Sequence, residues 1–395
     1  MSASTAPTPL EEPVAVRQSR RLFTIGLPKC ISDLAERRFP LTPEGAGILV
    51  EQGFDVVIEQ GAAETIHYTD TQYTAAGVRV ATRREALNCD IVMHLAPMDP
   101  VDIRRMRRGA MLLTLSSLRK LTQSYVRALL EHGILAIAID LIEDDRGNRP
   151  FADVLAEIDG RAAMARAAAL LADSVHGKGI LLGGVAGIVP CEVTVIGAGI
   201  AGCAAARAAY GAGAMVRLFD HDVYRLRQAE RELGGMVVSS ALHPRVLAGA
   251  LRSADVVVYA GVDPAVTVDS HQADAMKRGV IVFDLTDCPG RAFASIPTID
   301  LALASPLDIS PDGPSRACYV NAGSAAARTA AMALSNTFIT MLSQMATCEG
   351  VTNAMKLQPG LQHAALTFMG RPVNRTVATV AGVRLVDISI FLTLS

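Results

Sequence analysis

Three glycines with the spacing GxGxxG form the clearest chemical signal in the chain. Gly197, Gly199 and Gly202 follow the apolar run VTVI and lie at the start of an Ala-rich stretch, IAGCAAARAAYGAG, which opens with Ile200 and Ala201. At this spacing the first glycine permits a tight turn, the second lets the backbone approach a pyrophosphate, and the third allows a helix to pack closely on the strand. The pattern therefore predicts a dinucleotide-binding turn between a strand and a helix.

An acidic residue at the end of the next apolar run adds weight to this prediction. Asp220 closes MVRLFD, 23 residues after Gly197. A carboxylate in this place can accept hydrogen bonds from the adenosine ribose hydroxyls and repels the 2′-phosphate of NADP. Arg225, a nearby cation, could tolerate that phosphate. The spacing favours NAD, and the alternative is a Gly-rich turn that binds nothing.

Charge and hydropathy exclude several other classes of partner. Lys and Arg number 37 against 39 Asp and Glu, so the net charge of -2 supplies no basic field for nucleic acid. No run approaches the roughly 18–20 apolar residues of a membrane-spanning helix. The first residues are rich in Ser, Thr, Pro and Glu and lack the apolar centre of a signal peptide, so residues 1–20 are predicted to form a disordered tail. We expect a cytoplasmic protein with neither nucleic acid nor membrane as partner.

The cysteines and histidines do not indicate a metal site. The seven cysteines are an odd number, are widely spread and include no CxxC pair, and the eight histidines show no HxxxH or HExxH spacing. Reduced thiols in the core of a cytosolic protein are the simplest interpretation. We therefore predict no metal ligands.

The elements that would position these residues alternate along the chain. Over residues 21–142, and again over 192–286, short apolar runs alternate with helical patterns, which is typical of parallel βαβ units. One helix is predicted to start at Pro43 after a Thr42 cap. The Ala-rich pattern at 153–175 is too long for a simple crossover. The chain is thus predicted to be an α/β protein with two doubly wound layers joined by a long helix.

The C-terminal part of the chain predicts one more long helix. After Asn321 the pattern SAAARTAAMALSNTFITMLSQMA has the spacing of an apolar helix. The stretch 350–395 is predicted to contain short turns and strands and an apolar tail.

Several segments resemble the alanine dehydrogenase and transhydrogenase α-subunit family. They are GKGILLGGVAGIVPCEVTVIGAGIAG at 177–202, FDHDVYRLRQ at 219–228 and SADVVVYAGV at 253–262. RRFPLTPEG near the start and NAGSAAARTAAMALSN at 321–336 extend the similarity to nearly all of residues 21–395. The connection from FDHD to DVVVYAG lacks the long insertion usual in transhydrogenase subunits, so the chain is more similar to the alanine dehydrogenase side.

The resemblance implies two doubly wound Rossmann-like domains with a cleft between them, the NAD domain being inserted into the substrate domain. Residues 21–150 and 328–395 would form the substrate domain and residues 151–327 the NAD-binding domain. The implied activity is NAD-dependent oxidative deamination of a small L-amino acid, with alanine and pyruvate as the expected pair, in a homo-oligomer such as a dimer or hexamer. The alternatives are a catalytically degenerate NAD(H)-binding protein and a transhydrogenase-like subunit.

The resemblance also implies roles for particular residues. Arg38, in ERRFPLTP, matches the arginine that binds the substrate carboxylate, although it could be a surface residue like its neighbour Arg37. Asp287 follows the last strand of the NAD domain, where the family has an aspartate beside the nicotinamide, and Asp284 is a second candidate. Asn321 matches an asparagine beside the cofactor and the cleft.

The chain departs from the family at two positions. Where the family carries a lysine, DIVMHLAPM places His94 or Ala96. His94 could donate a hydrogen bond to a substrate carboxylate or carbonyl, or act in proton transfer, or it could be a histidine satisfied within the sheet. Where the family's dehydrogenases have a catalytic histidine, this chain has Ser117, whose hydroxyl does not titrate near neutrality.

Three further charged residues match the family pattern. Asp140 closes AIAID at a position where the family has a carboxylate near the substrate, and it could equally be an ordinary strand-end carboxylate. Glu157 and Arg161, in AEIDGRAA, match a helix motif of the family. Their spacing of four residues also suits a simple ion pair.

Overall fold

The structure is a computed structural model that describes residues 23–30, 36–116, 118, 121–261, 266–287, 289–303, 316–345 and 351–393. The predicted tail at 1–20 and Ser117 lie outside the described residues. Fifteen strands are present in the described ranges, namely β1 Thr24–Leu27, β2 Asp55–Glu59, β3 Arg79–Ala81, β4 Ile91–Met93, β5 Met111–Thr114, β6 Leu135–Ala138, β7 Glu192–Ile196, β8 Met215–Asp220, β9 Val238–Ala241, β10 Val256–Tyr259, β11 Ile281–Asp284, β12 Thr298–Asp300, β13 Ala317–Val320, β14 Ala365–Phe368 and β15 Arg371–Pro372.

Helices connect these strands. The described part of the chain contains α1 Pro43–Glu51, α2 Asp70–Ala75, α3 Arg83–Leu87, α4 Pro100–Arg105, α5 Gln123–His132, α6 Pro150–Ala172, α7 Ile200–Gly211, α8 Val223–Leu233, α9 Pro244–Ser253, α10 Ser270–Asp274, α11 Ala327–Met345, α12 Val351–Leu357, α13 Pro359–His363, α14 Arg375–Ala381 and α15 Ile388–Thr393. Short 3-10 turns at Glu64–Ile66, Ile139–Leu141 and Ala322–Ala326 complete the connections.

The strands form two sheets. The first has the order β15-β14-β6-β5-β4-β1-β2-β3, and the second the order β12-β13-β11-β10-β7-β8-β9. All neighbouring strands are parallel except at β14, which is antiparallel to both β6 and β15. The chain therefore forms most of the first sheet, then the whole second sheet, and then returns to the first sheet with an antiparallel edge. Two doubly wound α/β layers were predicted, and this part of the prediction is confirmed.

The apolar runs form strands because both faces of each sheet are covered. Val56 and Ile58 pack into one apolar layer, whereas Val57, between them, packs into the opposite layer. Since successive side chains on a strand point to opposite faces, a strand without polar alternation must be buried on both sides. Helices on both faces supply that burial.

Helices α1 and α11 are in close contact although they are far apart in the sequence. The Thr42 side chain accepts a hydrogen bond from the Gly45 N–H, as predicted for a helix cap, and Pro43 occupies the first turn. A Cβ added to Gly45 would lie 1.8 Å from Ser335 Oγ. Only a residue without a side chain fits between the two helices at this point, so the returning helix α11 packs directly on the first domain.

The long helix α6 contacts both domains. The sequence predicted it over 153–175, and it runs three residues earlier, from Pro150 to Ala172. Near its start, Phe151 packs against Phe338 of α11 with ring centroids 4.7 Å apart and the rings tilted by 54°. Further along, a Cβ on Gly160 would lie 2.2 Å from the Ala201 carbonyl oxygen of α7. Helix α6 therefore packs against α11 near its start and against α7, the helix after the glycine turn, further along.

The sequence analysis missed several short elements. Strands β3, β12 and β13 were not predicted, and the stretch after 350 is mainly helical rather than strand-like. Strands of three or four residues carry little periodicity and depend on the neighbours that pair with them. Within the described ranges, no helix is long and apolar enough to cross a membrane. The described residues also contain no group of three His, Cys, Asp or Glu side chains suited to a metal ion.

Candidate active site

The glycine turn lies where the second sheet changes its winding direction, between β7 and β10. Gly197 follows β7 with a φ of 109°, and a Cβ there would lie 2.4 Å from the Ala260 carbonyl oxygen at the end of β10. A Cβ on Gly202 would lie 1.8 Å from the Gly197 carbonyl oxygen. Packing therefore requires the first and third glycines. Ligands of open α/β sheets bind in this crevice at the carboxyl ends of the strands.

The second glycine faces open space. A Cβ on Gly199 would have no atom of this chain within 4 Å. Gly199 caps α7, whose first residues are Ile200, which is exposed, and Ala201. The backbone N–H groups of a first helical turn have no partners within the helix and attract anions. These residues therefore fit a pyrophosphate, which would occupy the space that a side chain at Gly199 would fill.

Asp220 is fixed beside the turn. It ends β8, is buried, and accepts hydrogen bonds from the Ala198 N–H through Oδ2 at 2.7 Å and from the Asp222 N–H through Oδ1 at 2.8 Å. The carboxylate therefore links the two strand ends that a dinucleotide would cross. Arg225 is exposed on α8, with its Nε 3.9 Å from Asp222 Oδ2. Asp220 therefore lies at the strand end that the NAD prediction requires, but its side chain is 3% exposed and both of its oxygens are engaged. The preference for NAD stays a prediction.

On the other side of the cleft, Arg38 forms a close ion pair. It follows β1, and its Nε and Nη2 donate to Glu36 Oε1 at 2.8 Å and Oε2 at 2.6 Å. The two side chains are only 15% and 11% exposed. Burial acts to lower the pKa of Arg38, but Glu36 and the nearby Asp159 and Asp140 raise it above its ordinary value. Arg38 is therefore a permanently charged, oriented guanidinium rather than a loose surface residue.

Asp140 lies in the 3-10 turn after β6 and is held by Ser116. The Ser116 N–H donates to Oδ1 at 2.6 Å, and its hydroxyl donates to Oδ2 at 2.5 Å. Burial raises the pKa of Asp140 despite these donors, and the charge of Asp287 raises it further. Both oxygens of the Asp140 carboxylate are thus engaged by Ser116.

The sequence analysis missed Asp159, which also faces Arg38. It lies on α6 against the turn at Gly323, where an added Cβ would lie 1.9 Å from its Oδ1, and the Gly323 backbone lowers the pKa of its carboxyl group. One signal could have revealed it. Leu155 and Ala163, four residues before and after Asp159, are both buried, so the acid lies on the apolar face of the helix. A carboxylate on an apolar helix face needs a hydrogen-bond donor or a cation nearby, and this requirement marks it as a candidate.

The two aspartates after β11 have different roles. Asp284 is buried and accepts hydrogen bonds from the Thr286 N–H and hydroxyl and from the Gly290 N–H, so it holds the loop in shape. Asp287 is exposed, and its charge raises the pKa of both Asp140 and Asp159. Of the two candidates, only Asp287 is exposed, so it is the one that a ligand could contact.

His94 is enclosed at the end of β4. It is 4% exposed, its Nδ1 donates to the Ala96 carbonyl oxygen at 2.6 Å, and its buried Nε2 has no hydrogen-bond partner in the described structure. Burial lowers the pKa of this imidazole. A neutral ring with a covered Nε2 cannot touch a substrate unless the surrounding residues move. The role predicted for His94 stays a prediction, and this geometry does not favour it.

Two other predicted sites have clear local partners. Asn321 has a left-handed φ of 57°, and its Nδ2 donates to Asp300 Oδ2 at 2.6 Å, so its amide is engaged within the second domain. Glu157 and Arg161 form an exposed ion pair along α6, with 2.7 Å between Oε1 and Nη2. The simple ion pair weighed for these two residues is therefore what the structure contains.

Comparisons with known proteins agree with this arrangement. Family models described as alanine dehydrogenase/PNT match residues 26–158 with the N-terminal domain and 163–375 with the C-terminal domain. The chain belongs to this family. An alanine dehydrogenase of Mycobacterium tuberculosis is 30% identical over 362 residues, which cover 88% of this chain and 94% of the relative. One from Staphylococcus saprophyticus is 29% identical and covers 92% and 98%.

Solved structures support the same fold. An L-alanine dehydrogenase is similar with a TM-score of 0.79 and 25% identity, covering 90% of this chain and 98% of that one. A transhydrogenase from Sinorhizobium meliloti shares the fold with a TM-score of 0.69 at 21% identity, covering 89% and 99%. The predicted family resemblance and Rossmann-like fold class are confirmed. The protein is an amino-acid dehydrogenase by family, and the cofactor of this family is a pyridine nucleotide.

Proposed function

We propose that this protein catalyses the NAD-dependent oxidative deamination of a small L-amino acid, or the reverse reaction, with L-alanine, pyruvate and ammonium as the expected reactants. The observation that carries the proposal is the convergence of charged groups from both domains. Arg38 and Asp140 of the first sheet and Asp159 of α6 lie within electrostatic reach of one another, and Asp287 acts on both aspartates from the second domain.

Arg38 is suited to hold a substrate carboxylate. A planar guanidinium can bind a carboxylate with two parallel hydrogen bonds, as Arg38 already does with Glu36. A substrate would have to compete with Glu36 for these donors. Asp287 and Asn321, after strands of the second sheet, remain our candidates for residues beside the nicotinamide.

The glycine turn and Asp220 would hold the nucleotide. The N–H groups of Gly199, Ile200 and Ala201 would face the pyrophosphate, and Gly197 and Gly202 make the close approach possible. The carboxylate of Asp220 supports NAD over NADP because it would repel a 2′-phosphate. When bound, the nicotinamide supplies the acceptor for the hydride of the substrate Cα.

The proposal is tested by following NADH absorbance with ammonium and a panel of 2-oxo acids. We expect NADH to be consumed only when both ammonium and an oxo acid are present, with pyruvate or another small oxo acid preferred. In the opposite direction, the matching L-amino acid should reduce NAD. A reaction without ammonium and a mixture without oxo acid are the controls.

Each contrary result would indicate a different activity for this protein. NADH binding without turnover would support a catalytically degenerate NAD(H)-binding protein. Consumption of NADH by an oxo acid alone would identify a 2-hydroxy acid dehydrogenase. Hydride exchange between two nucleotides would favour the transhydrogenase-like alternative. Any of these outcomes would refute deamination as the main activity.

A homo-oligomer, dimer or hexamer, is part of the proposal. The loop between α6 and β7 exposes six large apolar side chains, Val175, Ile180, Leu181, Val185, Ile188 and Val189. Apolar groups clustered on a surface are typical of protein contacts, so this loop supports association of copies. A cytoplasmic location remains an expectation from the sequence.

A further inference from the structure

We infer that Asp159 is the group that exchanges a proton with the substrate amino group. This inference rests on the deamination proposed above and adds a catalytic residue to it. The reaction itself sets the requirement, because an α-ammonium must lose a proton before its nitrogen can form a double bond to Cα. The groups around Arg38 must therefore include a proton acceptor, and their geometry separates the candidates.

Three possible proton acceptors, Glu36, Asp140 and His94, are already hydrogen-bonded or buried. Both carboxylate oxygens of Glu36 bind the guanidinium beside it. Both oxygens of Asp140 accept hydrogen bonds from Ser116. His94 donates from Nδ1 to a backbone carbonyl, so its lone pair is on Nε2, which is buried. None of the three can accept a proton from a substrate without first losing a contact or its cover. Asp287 is exposed as well, but it follows β11 of the second sheet and is our candidate beside the nicotinamide, so it is tested as a rival.

Asp159 differs from these three groups in its hydrogen bonds and in its burial. Its Oδ1 lies against the backbone of Gly323, where an added Cβ would be 1.9 Å away. Arg37, next to Arg38, donates its N–H to Ser324 Oγ at 3.0 Å, so the loop that carries Arg38 meets the same turn. No side-chain donor among the described residues engages the Asp159 carboxylate. Asp159 is half-buried, whereas His94 is fully enclosed. The α-nitrogen of an amino acid is two bonds from its carboxylate carbon. A substrate held by Arg38 would therefore present its amino group to a carboxylate that faces Arg38.

The charges around Asp159 also suit proton transfer. Arg38 and Glu36 face it from the loop after β1 and Asp287 from the loop after β11, while the turn at Gly323 contributes only backbone. Burial raises the pKa of Asp159, Arg38 lowers it, and Glu36 and Asp287 raise it, with a net rise. A carboxyl group with a raised pKa exchanges protons closer to neutral pH, as general acid–base catalysis requires.

The step can be written with its bonds and electrons balanced. In deamination an N–H bond of the substrate ammonium breaks, and the proton passes to the Asp159 carboxylate and then to solvent. The freed lone pair forms the C=N bond while the Cα–H bond breaks, and that electron pair leaves as hydride to bound NAD. The amino acid is oxidised and NAD is reduced. Water then adds to the iminium carbon, and ammonium and the oxo acid are released.

The test is Asp159→Asn, which keeps the shape but cannot accept a proton. With the preferred amino acid and NAD, we expect kcat/KM to fall on the order of 10²–10⁴-fold, the usual range for general acid–base catalysis. In the wild type the rate should rise as the pH increases through the pKa of Asp159, because the carboxylate is the active form. This rising limb of the pH–rate profile should be absent in Asp159→Asn, whereas the Kd for NADH should change little.

Two other variants provide the comparison. Glu157→Gln removes an exposed carboxylate from the same helix and should keep the activity and the pH limb. His94→Ala tests the rival directly. If His94→Ala or the further variant Asp287→Asn removes the pH-dependent rise in rate and Asp159→Asn does not, the inference is wrong. Should Asp159→Asn fail to fold, Asp159→Glu decides, because a limb moved to a new pH supports the inference and an unmoved limb overturns it.

Stability gives a readout that does not depend on turnover. A carboxyl whose pKa is higher in the folded state than in the unfolded state takes up protons on folding, so stability falls as pH rises from the unfolded to the folded value. Above this window Asp159→Asn should be at least as stable as the wild type. An inactive wild type would refute the proposed function itself. An active wild type with an equally active Asp159→Asn would refute only the role of Asp159.

Discussion

Replacing Arg38 by alanine tests whether this guanidinium binds the substrate carboxylate. Its two hydrogen bonds with Glu36, at 2.8 and 2.6 Å, define the bidentate geometry that a substrate carboxylate would take over. A hydrogen bond to a charged group contributes about 1.5–3 kcal/mol. Because Glu36 must be displaced first, only part of two such bonds is gained on binding.

We expect a net loss of about 2–4 kcal/mol of transition-state stabilisation, or roughly 30- to 1,000-fold in kcat/KM. The measurement is steady-state kinetics with the preferred oxo acid, combined with calorimetric titration of NADH. The nucleotide site lies on the other domain, so the Kd for NADH should stay nearly constant. Arg37→Ala is the matched control because that neighbouring side chain is exposed.

The variant also leaves the Glu36 carboxylate without its partner. Breaking a fully buried ion pair costs about 3–5 kcal/mol, and the partial exposure of both side chains should reduce this. The double variant Arg38→Ala with Glu36→Ala removes the orphaned charge and should regain stability but not activity. A folded Arg38→Ala protein with unchanged kcat/KM would refute the role of Arg38 and the competition with Glu36.

Two predictions concern the nucleotide. NADH should bind at least about tenfold more tightly than NADPH, a difference of roughly 1.4 kcal/mol by calorimetry, because the Asp220 carboxylate repels a 2′-phosphate; equal affinities would instead direct attention to Arg225. Gly199→Val should fold normally but weaken NADH binding on the order of tenfold or more, since its side chain would occupy the open space over α7. Gly249→Ala, at an open position in α9, is the control, and an unaltered Kd in Gly199→Val would contradict the pyrophosphate site.

Residues close together in the chain were enough to predict the longer helices and strands of this protein, although not its shortest elements. The turn from Gly197 to Gly202 could be recognised because tight packing permits only glycine at two of its three positions. Thr42 and Pro43 marked the start of a helix because capping depends on residues within one turn. The long strands were readable because burial on both faces leaves continuous apolar runs. All of these signals depend on residues that are close together in the chain, so they can be recognised before the fold is known.

Only the tertiary structure decided which of the candidate residues face the cleft. The sequence offered Asp287 as the first candidate and Asp284 as the second, and the structure separates them because three donors of one loop engage Asp284. Asp159 became a candidate because Arg38 and Gly323, both remote in the chain, surround it. The charge and accessibility of an ionisable group depend on everything within several ångströms, and folding brings those groups together from distant segments. Local patterns can therefore place a residue on a helix or strand, but they cannot determine its chemistry.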